Sequence, residues 1–211
     1  MILLCQLPLL AISGELSQTE HAIAASLADA TPWPPTLRSS LAAKVVTQVA
    51  TKGSAHPLGL QTLSIEADWK KHADATRLAR IYQYDHTQLK SRLLVVDVNS
   101  KQVIREQLIN SVHLPLSTDE ILYATAQLNA SASLLLDINQ ERTQQLLTPI
   151  TDLSSFDVKA SIYEPTLTHH PCSTQRCVLF ALVDATLTVS SVEPLVLLSS
   201  GDVQRLQDTL R

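Results

Sequence analysis

The sequence predicts an α+β fold in which one small unit is written twice, each time as a helix followed by four antiparallel strands. Two observations carry this. An eleven-residue hairpin pattern recurs a hundred residues on, with Val95-Val96-Asp97-Val98-Asn99-Ser100-Lys101-Gln102-Val103-Ile104-Arg105 set against Leu195-Val196-Leu197-Leu198-Ser199-Ser200-Gly201-Asp202-Val203-Gln204-Arg205. Four positions are identical: Val96/Val196, Ser100/Ser200, Val103/Val203 and Arg105/Arg205. The second observation is that the predicted elements follow the same order in each half. A period this long is not that of a solenoid, where repeats run about 20–50 residues.

Residues 1–13 are nearly all apolar, too short for a membrane span of about 20 residues and matched to a signal-peptide core. Ala11 and Ser13 supply small residues before a cleavage ahead of Gly14. No Lys or Arg precedes Arg38, which implies a start codon assigned too far downstream. Residues 14–35 hold a short Ala-rich helix, Gln18 to Ala30, and the extended linker Thr31-Pro32-Trp33-Pro34-Pro35.

The first unit is assigned to residues 36–112. Leu37, Leu41, Val45 and Val49 form an apolar stripe at helical spacing, with Thr36 as N-cap and Gly53 closing the helix. Strands follow over 60–69, 77–84, 91–98 and 102–109, the last two joined by a turn at Asn99-Ser100-Lys101. The second unit is assigned to 113–211. Ser117-Thr118-Asp119-Glu120 is a capping-box start, with Ile121, Leu122, Thr125 and Leu128 on the inner face. Helix resumes through Leu135, Ile138, Arg142 and Leu146 after a Ser-Ala stretch, and strands are predicted over 156–163, 177–183, 187–198 and 203–206. One helix laid across one face of a four-stranded meander is a cystatin-like arrangement.

Composition narrows the function classes. Apolar residues make up 45% and charged residues 17%, which argues for a packed chain rather than a disordered one. A net charge of −4 with no basic run longer than Lys70-Lys71 excludes a nucleic-acid surface. Four glycines leave no Gly-rich phosphate loop, and no Gly-x-Ser-x-Gly elbow is present. Cys5 leaves with the apolar segment, so Cys172 and Cys177 remain, an even number that in an exported chain favours one disulfide. The same two cysteines with His169 and His170 are the only cluster of potential metal ligands, suited to zinc or Cu(I); a metal site and free thiols stay open as alternatives. Adjacency of His170 and Cys172 in sequence says little about a catalytic dyad, and Asp119-Glu120 reads as a helix cap. Trp33 and Trp69 read as core or linker packing.

The segment His113-Leu114-Pro115-Leu116-Ser117-Thr118-Asp119-Glu120-Ile121 and the hairpin Val96-Asp97-Val98-Asn99-Ser100-Lys101-Gln102-Val103 resemble the paired N-terminal domains (N2 and N3) of copper amine oxidases. Those domains are cystatin-like and non-catalytic, and the resemblance covers roughly residues 36–208. It departs at Leu114, where the family has Pro. The family's catalysis needs an Asn-Tyr-Asp/Glu tyrosine and a His-x-His copper pair; this chain has no Asn-Tyr dipeptide and no His-x-His, so only the architecture is implied. The inhibitory Gln-x-Val-x-Gly wedge of cystatins is absent as well.

These readings lead to an exported non-catalytic binding or accessory protein, periplasmic or secreted, with no cofactor. A protein partner, as yet unknown, would engage an edge strand, with no nucleic acid and no stable membrane span after signal cleavage. The alternative is a small metal- or redox-linked protein using His169, His170, Cys172 and Cys177.

Overall fold

A computed structural model describes residues 15–34, 56–68, 77–110, 113–165, 169–185 and 188–206. The chain forms two four-stranded antiparallel sheets with adjacent helices, the α+β duplication expected. The first unit comprises α1 (Gln18–Ala30) and β1 (Leu60–Ala67), β2 (Leu78–Asp85), β3 (Lys90–Asp97) and β4 (Gln102–Ile109), in sheet order β1-β2-β3-β4. The second comprises α2 (Thr118–Ala130), α3 (Ala132–Gln144), β5 (Phe156–Ile162), β6 (Cys177–Asp184), β7 (Pro194–Leu197) and β8 (Val203–Arg205), in order β5-β6-β7-β8.

The duplication runs to single residues. In α1 the Ser17 hydroxyl accepts from the Glu20 N–H, while the Glu20 carboxylate accepts from the Ser17 N–H at 2.7 Å. In α2, Ser117 and Glu120 repeat that capping box, with the return bond at 2.8 Å. Each box satisfies two amides that the helix itself leaves open. The hairpin repeat holds in register: Val96 pairs with Val103, and Val196 with Val203. Its turns share a left-handed residue, Lys101 at φ 56° and Gly201 at φ 77°. At 201 a Cβ would stand 2.8 Å from the Tyr123 hydroxyl of α2, so any larger residue there requires that side chain to shift.

The cores correspond too. Ala24 and Ala28 of α1 pack on Ala79, Ile81, Leu94, Val96 and Val98. In the second unit Ala124 and Leu128 pack on Val178, Phe180, Val196 and Leu198, and α3 adds Leu134 and Ile138. Among the described residues, the helix packed on the first sheet is α1, which the sequence reading placed in a leading segment. The stripe at 37–49, given that role from sequence, lies outside the described residues. So does the apolar segment 1–13.

One strand is shorter than expected. Instead of spanning 187–198, β7 runs only Pro194–Leu197, and Val189 makes a lone bridge to Val183. Ser190 still donates its N–H to the Leu182 carbonyl of β6 at 2.9 Å, while the Glu141 carboxylate of α3 accepts from the Ser190 hydroxyl and the Ser191 N–H. At the break between α2 and α3, Ser131 ends one helix and N-caps the next.

Candidate functional site

Each unit carries the same polar corner. The arginine just before the second strand of each sheet returns to the capping glutamate of that unit's helix. Arg77 donates from Nε to Glu20 Oε1 at 2.9 Å and from Nη2 to the Glu15 carbonyl. Arg176 donates from Nε to Glu120 Oε1 at 2.7 Å, from Nη2 to Oε2 at 2.9 Å, and from Nη2 to the Pro115 carbonyl at 2.8 Å. In both corners the carbonyl lies five residues before the glutamate. Each arginine's own carbonyl then accepts from the residue after the third strand, Val98 at 3.0 Å and Leu198 at 3.1 Å. The device ties helix start to sheet with a charge-assisted pair.

Burial separates the two copies. The Arg77–Glu20 side chains are 31% and 25% exposed, whereas those of Arg176 and Glu120 are both 0% exposed. The cover comes from the first unit. His86, at the end of β2, donates from Nε2 to Glu120 Oε1 at 2.9 Å. The Tyr84 ring lies 5.4 Å from the Arg176 guanidinium carbon, a cation–π approach, and meets His86 edge-on. His56 stacks on His86, with centroids 5.1 Å apart and planes 17° from parallel, and touches Tyr123 of α2 edge-on. Ser117 donates to Gln61 Oε1 at 3.2 Å. A buried polar joint thus connects the two units.

Its electrostatics follow from that geometry. Burial pushes the Glu120 carboxyl upward, but hydrogen bonds from His86 and Arg176 and the guanidinium charge outweigh it and hold the group below its ordinary value. Burial pushes the Tyr84 hydroxyl up to about 12. Burial, then the charge on His86, lower His56; the nearby carbonyls of Leu198 and Ser199 offset this only in part. Glu120 receives N–H groups from Arg176, His86 and Ser117 together. A carboxylate so filled cannot serve as a general base, so the joint is built to hold units together.

The cysteine cluster is arranged differently from a ligand set. The Cys172 and Cys177 sulfurs stand at bonding distance, 2.06 Å, across a separation of five residues. Their thiolates are therefore spent on each other. His170 is buried, accepts the Cys172 N–H at Nδ1 and packs on Tyr163, while His169 is exposed. Burial lowers the His170 pKa. Among the described residues no group of three or more His, Cys, Asp or Glu side chains is placed to hold a metal. Replacing both cysteines by Ser is expected to cost about 2 kcal/mol in urea unfolding, the low end for disulfides because the closed loop is short. Equal stability of the double variant and the oxidised chain would remove the cross-link from the account.

The third feature is an edge. Strand β4 is exposed along nearly its whole length, with Val103, Ile104 and Leu108 at 37%, 57% and 47% exposure. A bulge at Ile104 interrupts its pairing with β3, leaving a regular stretch over 105–109. At the far edge of the other sheet, β5 points Asp157 and Lys159 outward, and their charged groups meet at 2.6 Å. Charges of that kind blunt an edge against strand addition.

Sequence reasoning singled out Cys172, Cys177, His169, His170 and the cap at Glu120. It missed His56, Tyr84, His86, Arg77 and Arg176. A signal for the arginines was present, since each follows its capping glutamate at nearly equal distance, 57 and 56 residues.

No protein-family profile and no curated protein matches this chain. Among solved structures, a copper-containing benzylamine oxidase from Hansenula polymorpha aligns with a TM-score of 0.50 at 13% identity. The match covers 90% of this chain and 29% of that one, so the chain spans under a third of the oxidase it resembles. What the two share is a fold: the paired α+β units of this chain are similar to one part of a copper amine oxidase.

Proposed function

We propose that the chain is an exported, non-catalytic accessory protein that binds an extended partner segment by strand addition at β4. The observation that carries this reading is the exposed edge of β4, where Ile104 and Leu108 stand open beside Arg105 and Glu106 and the ladder is regular over 105–109. Main-chain hydrogen bonds supply affinity in this mode, and alternate side chains supply selectivity. The apolar leader, the paired cysteines at 172 and 177, and the lack of Asn-Tyr and His-x-His in the sequence support the exported and non-catalytic parts. Likeness to part of an amine oxidase supports an accessory role.

The experiment is peptide selection on the immobilised full chain at pH 7.5, followed by N-methylation of alternate amides in the selected peptide. Methylation in the ladder-facing register is expected to weaken binding at least about tenfold, with the other register unaffected, and Leu108→Lys is expected to weaken it similarly. Because Leu108 is half exposed, that substitution should change stability by no more than about 0.5 kcal/mol. Failure to select any peptide, or binding indifferent to both changes, would rule out strand addition at β4.

A further inference from the structure

We propose that the joint between the units is an acid-opened hinge, triggered by protonation of His56 where it stacks on His86. Among the described residues, Leu58 is the one first-unit member of the second unit's buried apolar cluster, and the ring and side-chain contacts described above across the joint are polar or aromatic. Interfaces of this character open readily unless something specific keeps them shut.

The groups facing the pair leave an imidazolium at His56 uncompensated. His86 is already committed to Glu120, and that carboxylate is neutralised by Arg176. On the strand side stand Tyr84, neutral with its pKa raised, and Asp85, whose Oδ1 is turned back to the Thr87 and Gln88 amides of its own turn. From α2 come Glu120 and Tyr123, and from the end of β7 the Leu198 and Ser199 backbone. A proton on His56 sets a cation 5.1 Å from the ring that donates to Glu120, nearly parallel to it and in a partly buried setting.

The direction of the pH effect is fixed by His56. Its pKa in the closed joint lies below the ordinary 6.5, chiefly through burial, so the closed form binds fewer protons than the open one. Closure is therefore fully stable above about pH 6.5 and weakens as pH falls through the histidine range. Glu120 is held below its own ordinary value, so it stays ionised until more acidic pH. Between these limits the joint loosens while each unit keeps its core. Opening would bare the Glu120–Arg176 corner, making it like the Glu20–Arg77 corner of the first unit.

Small-angle scattering of the full chain from pH 8 to pH 4.5, with far-UV circular dichroism in parallel, tests this. The radius of gyration is expected to rise reversibly below about pH 6.5 with the dichroism unchanged. His56→Asn keeps a short acceptor for the Leu58 N–H but cannot titrate, and His86→Gln keeps a donor toward Glu120. Each is expected to move the transition about one pH unit or more toward acid. A radius that stays constant until the dichroism is lost would overturn the proposal. So would variants that expand at the wild-type pH.

Discussion

Replacing Arg176 by Leu is expected to destabilise the chain by about 3–5 kcal/mol, whereas Arg77→Leu, the same change in the first unit, should cost about 1 kcal/mol or less. The difference arises from burial alone. With Arg176 gone, Glu120 keeps His86 and the Ser117 amide but loses the cation that neutralises it in a site with no solvent access. Glu20, at 25% exposure, recovers water when Arg77 is removed. Urea unfolding followed by circular dichroism measures both. Equal losses in the two variants would show that the arginines act through their carbonyl contacts and that the buried ion pair adds nothing. Glu120→Gln sharpens the comparison: it keeps an acceptor for Arg176 but leaves the guanidinium without a counter-charge, so it too should be strongly destabilising.

How much of this could be read from the sequence depends on how each element announces itself. The capping box at Ser117 and Glu120, and the alternation through β1 to β4, are local patterns, and the elements form where they predict. The hairpin repeat was legible because its turn residues and its paired valines are neighbours in sequence. The packing of α1 on the first sheet was not. The buried face of α1 is alanine, Ala24 and Ala28, which carries almost no hydrophobic signal, while the aliphatic stripe at 37–49 carries a strong one. Its capping box, Ser17 and Glu20, was the clue that matched α2. The joint was illegible for a different reason. His56, His86, Glu120 and Arg176 lie on four separate segments, and a histidine alone in a polar stretch has no local pattern that says what it will meet. The cysteines were legible as a pair because only five residues separate them.

The two halves diverge where the joint and the extra helix were added. Unit one presents the hairpin end at His86 to the corner of unit two, a head-to-tail contact that could in principle propagate. The equivalent end of unit two is different. Its β6 stops at Asp184, and the returning segment, bonded back to β6 through Thr188 and Ser190, is also held by Glu141 of α3. Position 185 there is Ala, not His. The sequence of unit two thus lacks the side chain that makes the contact.

Arg92→Leu is expected to cost about 3–5 kcal/mol and to loosen α1 from its sheet, because this arginine replaces the cation that the helix itself lacks. No basic residue stands in the last turn of α1, and its C-terminal carbonyls need donors. Arg92, fully buried on β3, provides them: Nη2 donates to the Thr31 carbonyl at 2.9 Å and approaches the Ala28 carbonyl at 3.5 Å, and Nη1 donates to the Pro32 carbonyl at 2.9 Å. Its Nε donates to the buried Gln83 at 2.7 Å, Nη1 also reaches Glu106 at 2.9 Å, and Trp33 packs 4.8 Å from the guanidinium carbon. A leucine fills the apolar part of that space but strips donors from the half-exposed helix-end carbonyls and leaves the buried Gln83 Oε1 an orphan, which alone costs about 1–3 kcal/mol. Lysine should not rescue it, since a single ammonium cannot reach helix end, Gln83 and Glu106 from one planar fork. The readouts are urea unfolding and hydrogen exchange across Gln18–Ala30: exchange there should rise before the rest of the unit unfolds, since the lost bonds are those that fasten the helix. An Arg92→Leu chain within about 1 kcal/mol of wild type, with α1 as protected as before, would mean that Ala24 and Ala28 hold the helix by packing alone.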